Sequence, residues 1–245
     1  MAQRRLLGSC RRDRIRVGGI MKPIVLLGDT GKLEFIKRIT EERFGMMFTE
    51  RKPRIHYPTM PWAFDNGCFG AWWNEREWDP NAWHIRIDRV AKMDIHPPLF
   101  AVVPDLPARG AESLRFSRDW VETIPGRFPK ALALQDGMRY QDVKKDLIHY
   151  DYLFIGGSDA FKLHARDWTR FARDNGKFIH YARASTLEKL EYAIHCGVDS
   201  LGSTFPALDA AKVPSVRGYF CERTSQRCPV PALMAVSECQ IRGRR

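Results

Sequence analysis

The chain has few cysteines, and none of them is spaced as a redox pair or a common zinc site. The six cysteines among 245 residues form no Cys-x-x-Cys pair, which excludes the usual thiol-redox and zinc-ribbon motifs. The first 20 residues also contain no apolar run long enough for a secretory signal or a membrane helix. We therefore expect reduced thiols, no membrane association and a cytoplasmic location.

An acidic excess is also absent, because 40 Lys and Arg outnumber 29 Asp and Glu and give a formal net charge of +11. The basic excess lies at the two ends. Residues 1–20 hold six Arg and one Asp, and residues 215–245 hold six Arg and two Glu, whereas residues 21–214 hold 28 basic and 26 acidic residues. Basic ends favour phosphate binding, since neutralised phosphates release counterions. Two tails without a specific partner fit the same pattern.

Short apolar runs alternate along the chain with stretches patterned as helices. The runs are almost continuously apolar, as in parallel strands that are buried on both faces. Asp79-Pro80 is a good cap and first-turn pair, and Ser185-Thr186-Leu187-Glu188 is a capping box that opens a helix ending at Gly197. The seven predicted strands are Pro23–Gly28, Trp62–Gly67, Phe100–Asp105, Ala131–Asp136, Tyr152–Gly157, Phe178–Arg183 and a weaker one at Val198–Thr204.

This alternation predicts a parallel α/β fold, which is either a closed (β/α)8 TIM-barrel-like fold or an open doubly wound sheet. Several strands end in a polar residue followed by glycine. A barrel brings all such ends to one face, whereas an open sheet concentrates them near one switch point, so we favour the barrel. It occupies residues 21–214, between a basic leader (1–20) expected to be disordered and a basic extension (215–245) that packs on the barrel or trails from it.

Five segments at the predicted strand ends carry groups suited to chemistry. Each offers a carboxylate, an amide or bare backbone where a ligand could approach closely. Taken singly, each is also ordinary turn chemistry. The segments are Asp65-Asn66-Gly67-Cys68-Phe69, Val103-Pro104-Asp105-Leu106-Pro107, Gln135-Asp136-Gly137, Gly156-Gly157-Ser158 and Gly197-Val198-Asp199-Ser200-Leu201-Gly202.

In this order, the five segments resemble the series found in tRNA-guanine transglycosylases and their phage and bacterial DNA-modifying relatives. The family's Asp-Ser-Gly-Gly-Phe turn is similar to residues 65–69, and its Gln-Gly-Gly strand end to residues 135–137. Its Gly-Gly strand end resembles residues 156–157, and its stretch of helix, Gly, hydrophobic residue and Asp resembles residues 187–199. The resemblance covers residues 60–205, and the small strand-end insertions are closer to the DNA-modifying branch.

The resemblance implies a barrel of the transglycosylase type that replaces guanine in DNA, less readily in tRNA, with a 7-deazaguanine such as preQ0. The exchange would pass through a covalent Asp–sugar intermediate on an extruded nucleotide. The implied partners are nucleic acid and a free 7-deazapurine base, in the cytoplasm of a bacterium or of a phage-infected host. By resemblance, Asp65 is the acid/base residue, and Asp105, Gln135 and Gly157 read the base. The further substrate contacts expected around them are Asn66, Gly67, Phe69, Asp136, Gly137, Gly156 and Ser158.

The sequence departs from the family pattern at the nucleophile. Family members carry Asp three residues after the Asp that matches Asp199, and this chain has Gly202 there. Either Asp199 or Asp105 serves as the nucleophile, the register differs by a few residues, or the chain does not catalyse exchange. Gly202 thus favours an alternative, a non-catalytic nucleic-acid-binding paralogue that assists a modification enzyme. A small-substrate glycosidic-bond hydrolase is the other alternative.

The family's zinc motif, Cys-x-Cys-x-x-Cys with a later His, is not matched either. Cys221, Cys228 and Cys239 lie too far apart in the sequence, so we expect no metal and no cofactor.

Two aromatic features each allow two interpretations. Trp72, Trp73 and Trp78, with Trp83 beyond, either form a stacking wall for bases beside Asp65 or pack the barrel helices. His180 lies on a predicted strand and is either a hydrogen-bonded core residue, which we expect, or a catalytic one.

Overall fold

The computed structural model describes residues 16–17, 20–21, 23–28, 44–49, 60–93 and 96–203. Within them, eight parallel strands close into a barrel with interleaved helices, so the predicted TIM-barrel fold is confirmed. The predicted leader is described only at residues 16–17 and 20, and the extension 215–245 lies outside the described residues. The division of the chain into three segments therefore stays a prediction.

The barrel strands follow one another around the barrel in chain order, and every neighbouring pair is parallel. The last strand closes the barrel because it pairs with both the first and the seventh. A short antiparallel pair, Arg16–Val17 with Ile20–Met21, precedes them. The strands are β1 (Ile24–Gly28), β2 (Phe44–Phe48), β3 (Trp62–Phe64), β4 (Ala101–Val102), β5 (Lys130–Leu134), β6 (Tyr152–Ile155), β7 (Phe178–Tyr181) and β8 (Ser200–Ser203).

Helices connect the strands from β3 onward in the described chain. They are α1 (Cys68–Trp73), α2 (Pro80–Ala91), α3 (Gly110–Trp120), α4 (Tyr140–Asp146), α5 (Asp159–Lys162), α6 (Ala165–Asp174) and α7 (Leu187–Cys196). Single turns of 3-10 helix, Val121–Thr123 and Leu147–His149, extend α3 and α4.

The predicted helix caps are present, one of them displaced by a residue. The Asp79 carboxylate accepts hydrogen bonds from the backbone N–H groups of Asn81 and Ala82, and Pro80 opens α2. At α7 the cap is Thr186 rather than Ser185, since the Thr186 hydroxyl accepts from the backbone N–H of Lys189. The same helix ends at Gly197, which adopts the left-handed conformation expected there.

Strand β2 is absent from the seven predicted strands. Its sequence, Phe-Gly-Met-Met-Phe, contains no β-branched residue and has a glycine inside it, and both features weaken a strand signal. All five of its residues are nevertheless buried. Its place in the sheet is thus decided by packing on both faces.

Alternate residues of each strand face the inside of the barrel, and the others pack under the helices. The inward side chains form one core of mostly aliphatic and aromatic residues, and the outward ones a second, larger core. Inside the barrel lie Leu26, Met47, Ala63, Leu99, Phe100, Val102, Ala131, Ala133 and Tyr152.

Gly45, on β2, marks a point where the barrel has no room for a side chain. A Cβ there would lie 2.4 Å from the carbonyl oxygen of Pro61 and 2.7 Å from Cδ2 of Leu26. We predict that Gly45→Ala lowers the free energy of unfolding by about 2 kcal/mol, because the backbone of the neighbouring segment must move. Urea denaturation measures this. Gly126→Ala, where a Cβ would meet nothing within 4 Å, is the matched control, and an equal loss in both variants would contradict the prediction.

Candidate functional site

Polar side chains follow three neighbouring strands at the carboxyl-terminal mouth of the barrel. Asp65 and Asn66 come directly after β3, Asp105 lies after β4, and Gln135 follows β5. Because all the strands are parallel, these ends meet at one face. The structure thus brings Asp65, Asp105 and Gln135 together, as the sequence predicted.

The carboxylate of Asp105 accepts a hydrogen bond from a side-chain amide on each of its two oxygens. Asn66 Nδ2 donates to Asp105 Oδ1 at 2.8 Å, and Gln135 Nε2 donates to Asp105 Oδ2 at 2.6 Å. The Asn66 amide also donates to the carbonyl oxygen of Val103 at 2.9 Å. Asp105 is only 6% exposed, so the two amides replace most of the water that a carboxylate would otherwise bind.

Burial changes the acidity of both carboxyl groups at the mouth. Burial raises the pKa of Asp105 to about 6; the Asn66 and Gln135 amides oppose the rise, and the charge of nearby Asp65 adds to it. Burial likewise raises the pKa of Asp65, against hydrogen bonds from the backbone of Gly67 and Asn66 and the positive charge of Arg183. Carboxyl groups with raised pKa values that share a cleft are candidates for proton transfer near neutral pH.

Asp136 and Ser158 join the ends of β5 and β6 to each other. The backbone N–H of Ser158 donates to Asp136 Oδ2 at 2.7 Å, and the Ser158 hydroxyl donates to Asp136 Oδ1. Gly157 has no room for a side chain, because a Cβ would lie 2.5 Å from Cδ1 of Phe161. Gly137 has a φ of 83° in the turn after β5. The two hydrogen bonds from Ser158 to Asp136 therefore hold the loops after β5 and β6 together.

The remaining strand ends present very small residues to the inside of the mouth. By the alternation of side chains along a strand, the last described inward positions of β6, β7, β8 and β1 are Gly156, Ala182, Gly202 and Gly28. A Cβ on Gly156 would lie 3.2 Å from Gln135 Nε2, which places it beside the polar group. Among the described strand ends, the mouth thus has a polar side, above β3 to β5, and a side from β6 to β1 whose inward positions are small residues.

The predicted stacking wall divides into an exposed and a buried part. Trp72 and Trp73 are 48% and 64% exposed, and both pack against Phe69, which stacks on Trp73 at a centroid distance of 5.9 Å. By contrast, Trp83 is fully buried against Phe64, and Trp78 packs on helix α3. Of the four tryptophans, Trp72 and Trp73 are therefore the ones exposed to solvent.

Arg183 is a residue of the mouth that the motifs did not single out. It follows β7, and its guanidinium carbon lies 4.0 Å from the centroid of the Phe69 ring. Its Nη2 donates to the carbonyl oxygens of Gly156 and Gly157, at 2.9 Å for Gly156. Its charge acts on both Asp65 and Asp105. The only signal in the sequence was its position at the end of a predicted strand.

Asp199 lies at the other end of the barrel. It precedes β8, its Oδ2 accepts from the backbone N–H of Ile179 at 2.9 Å, and its carbonyl oxygen accepts from Ile24. The structure therefore does not bring Asp199 together with Asp65 and Asp105, because the amino ends of parallel strands lie opposite the mouth. We remove Asp199 from the candidate nucleophiles.

Gly202, at the position of the family's nucleophile, lies on β8 next to His180. A Cβ on Gly202 would be 3.2 Å from His180 Nε2. His180 is fully buried, its Nδ1 lies 2.9 Å from the Ser200 hydroxyl, and its ring stacks on Phe154. Burial lowers the pKa of His180 to about 3, so the ring is neutral. This geometry agrees with a hydrogen-bonded core histidine.

Two properties concern the described part of the chain alone. Within it, no helix has the length and apolar character needed to cross a membrane. Nor do the described residues contain a group of three or more His, Cys, Asp and Glu side chains that could hold a metal ion. Cys221, Cys228 and Cys239 lie outside the described residues.

Comparison with known proteins supports the fold alone. No protein-family model and no curated protein matches the chain. Among solved structures, the chain is similar to one described as "QR15, an Aldolase", at 12% sequence identity and a TM-score of 0.52, over 82% of this chain and 97% of that one. Many unrelated activities share this barrel. The fold implied by the transglycosylase resemblance is confirmed, and membership of that family stays a prediction.

We predict that Asp105 makes the stability of the protein fall as pH rises. Its pKa is about 6 in the folded protein against 3.8 for an ordinary Asp, so the folded state binds the extra proton. The resulting stabilisation is fully present below pH 4 and is lost as pH rises through 6, with an upper value of about 3 kcal/mol.

Urea denaturation of the wild type and Asp105→Asn at several values between pH 4 and pH 7.5 measures this contribution. The free energy of unfolding of Asp105→Asn should rise steadily relative to that of the wild type as pH rises. A difference in free energy of unfolding that does not change with pH would contradict a raised pKa for Asp105.

Proposed function

We propose that the protein is a base-exchange transglycosylase that replaces guanine in DNA, less readily in tRNA, with a 7-deazaguanine such as preQ0. The observation that supports it best is the pair of carboxyl groups at one barrel mouth, the half-buried Asp65 and the buried Asp105, with Gln135 and the half-buried Phe69 beside them. Cleavage of a glycosidic bond needs one carboxylate to stabilise the sugar and one acid to protonate the leaving group.

The different surroundings of the two carboxyl groups suggest different roles. Asp105 is clamped by Asn66 and Gln135, and its pKa of about 6 keeps a proton available near neutral pH. Asp65 accepts from the backbone of its own turn, including Gly67 N at 3.2 Å, and these hydrogen bonds favour its ionised form against the effect of burial, which raises its pKa. We assign Asp105 as the proton carrier and Asp65 as the nucleophile, instead of the acid/base role that the resemblance implies for Asp65.

With these roles the exchange balances in two steps. First, an Asp65 oxygen attacks C1′ of the deoxyribose, the C1′–N9 bond breaks, and the departing guanine takes the proton from Asp105. Second, the incoming 7-deazaguanine returns a proton to Asp105, its N9 attacks C1′, and the bond to Asp65 breaks. The polymer ends unchanged except for the base.

The rest of the mouth suits an extruded nucleobase. Phe69, with Trp72 and Trp73 beside it, offers an aromatic surface for stacking. Gln135 and the backbone of Gly156 and Gly157 offer polar atoms to the edge of a base. The formal charge of +11 favours a polyanionic substrate over a small neutral one.

Two alternatives each have an observation in their favour. The glycine at position 202 favours a non-catalytic paralogue that binds nucleic acid and assists a modification enzyme. A pair of carboxyl groups at one mouth would equally serve a hydrolase that cleaves a small nucleoside.

The test is incubation of the full chain with DNA or tRNA and labelled guanine or 7-deazaguanine. We predict label in the polymer, and a loss of at least about 100-fold in rate for Asp65→Asn and for Asp105→Asn. Asp199→Asn should retain activity within a few-fold, because the amide oxygen can still accept from Ile179 N and the residue lies away from the mouth.

The outcomes separate the three functions. Salt-sensitive binding of the polymer without incorporation supports the non-catalytic paralogue. Release of free base without exchange supports the hydrolase. Loss of exchange in Asp199→Asn with retention in Asp65→Asn would overturn the assignment of the site.

A further inference from the structure

The guanidinium of Arg183 occupies a defined position inside the barrel mouth. Its flat face stacks on the ring of Phe69, with 4.0 Å between the guanidinium carbon and the ring centroid. Its edge donates through Nη2 to the carbonyl oxygens of Gly156 and Gly157. We call the space bounded by the Phe69 ring and these two carbonyl oxygens the guanidinium slot.

Two features of Arg183 at this position are unfavourable in free energy, its backbone conformation and the burial of its charge. The backbone of Arg183 has a φ of 57°, in the left-handed region that disfavours a residue with a side chain. Burial also disfavours the charged form and lowers the pKa of Arg183, against the attraction of Asp159, Asp65 and Asp105. Strained residues of this kind concentrate where a protein holds a ligand or a movable part.

The slot is contiguous with the proposed catalytic groups. A Cβ on Gly156 would lie 3.2 Å from Gln135 Nε2, the same atom that donates to Asp105. Phe69 belongs to α1, which begins directly after the turn that contains Asp65. A flat ligand in the slot would therefore have one edge toward the two carbonyl oxygens and lie within reach of the acids.

We propose that Arg183 fills, in the free protein, the binding position of a flat ligand with adjacent N–H donors, and that this ligand displaces it. The exocyclic amino group of guanine and of 7-deazaguanine carries two N–H donors on a flat conjugated group, as does Nη2 of the guanidinium, which donates to both carbonyl oxygens. The slot itself follows from the contacts of Arg183. The identity of its ligand rests on the proposed function.

The first experiment measures binding of labelled 7-deazaguanine to the full chain by equilibrium dialysis. Removal of the competing side chain in Arg183→Ala should lower the dissociation constant about tenfold. Arg183→Gly should do the same, and it keeps the local backbone conformation accessible if the alanine variant folds poorly. Arg173→Ala is the matched control, because Arg173 also donates through Nη2 to a backbone carbonyl, that of Gly197 at 2.6 Å, away from the mouth.

The second experiment does not depend on the nucleobase. Guanidinium chloride at about 20 mM, well below its denaturing range, should bind the vacated slot of Arg183→Ala and change tryptophan fluorescence, since Trp72 and Trp73 pack against Phe69. The wild type, Arg173→Ala, and sodium chloride at equal ionic strength should give no such change.

The results distinguish failure of this inference from failure of the proposed function. Weaker or unchanged binding of 7-deazaguanine by both Arg183 variants would overturn the inference, since Arg183 would then contact the ligand or be irrelevant to it. A guanidinium response equal in the wild type and Arg183→Ala would also overturn it. A response confined to Arg183→Ala, with no binding of 7-deazaguanine by any variant, supports the slot and counts against the transglycosylase.

Discussion

Asp105 accepts a hydrogen bond on each oxygen of its buried carboxylate, from Asn66 at the end of β3 and from Gln135 at the end of β5. One side chain thereby ties three neighbouring strand ends into a single arrangement. A buried carboxylate is costly unless such donors surround it, so the positions of Asn66 and Gln135 are coupled to its charge. The raised pKa of Asp105 and the fixed positions of Asn66 and Gln135 therefore both follow from the burial of this carboxyl group.

The ends of β5, β6 and β7 are held by further hydrogen bonds around the mouth. Asp136 and Ser158 join the ends of β5 and β6, and Lys162 Nζ, fully buried, donates to the carbonyl oxygen of Ala182 at 2.7 Å. These bonds lie around the mouth, and the inward positions beside them are glycine and alanine. The polar groups around the mouth are therefore held in fixed positions by hydrogen bonds. Preorganisation of this kind is what binding and catalysis both require.

The fold and the polar side of the mouth could be predicted from the sequence because both are local signals. Buried parallel strands give continuous apolar runs, and residues such as Asp65 and Gln135 follow those runs directly. Strand β2 could not be found this way, since Phe-Gly-Met-Met-Phe has little strand propensity and is fixed by burial on both faces.

The errors in the site have a different physical origin. Asp199 belongs to a predicted strand, Val198–Thr204, but the strand begins at Ser200, and a residue just before a strand lies at the opposite end of the barrel from one just after it. Arg183 was missed because its position depends on Phe69, Gly156 and Gly157, which are distant in the sequence. Contacts between residues that are distant in the sequence leave no recognisable pattern in a single amino-acid sequence.

The uneven lining of the mouth has a stereochemical consequence. Among the described residues, the carboxyl and amide groups that face the mouth lie at the ends of β3 to β5, and the arc from β6 round to β1 presents glycine, alanine and the guanidinium of Arg183. A planar guest in the guanidinium slot would therefore meet the carbonyl oxygens of Gly156 and Gly157 along one edge and side-chain amides and carboxyl groups along another, so its two faces are not equivalent. Anything attached to that guest leaves it in a fixed direction. The stereochemistry at the point of attachment thus depends on which strand ends carry polar side chains.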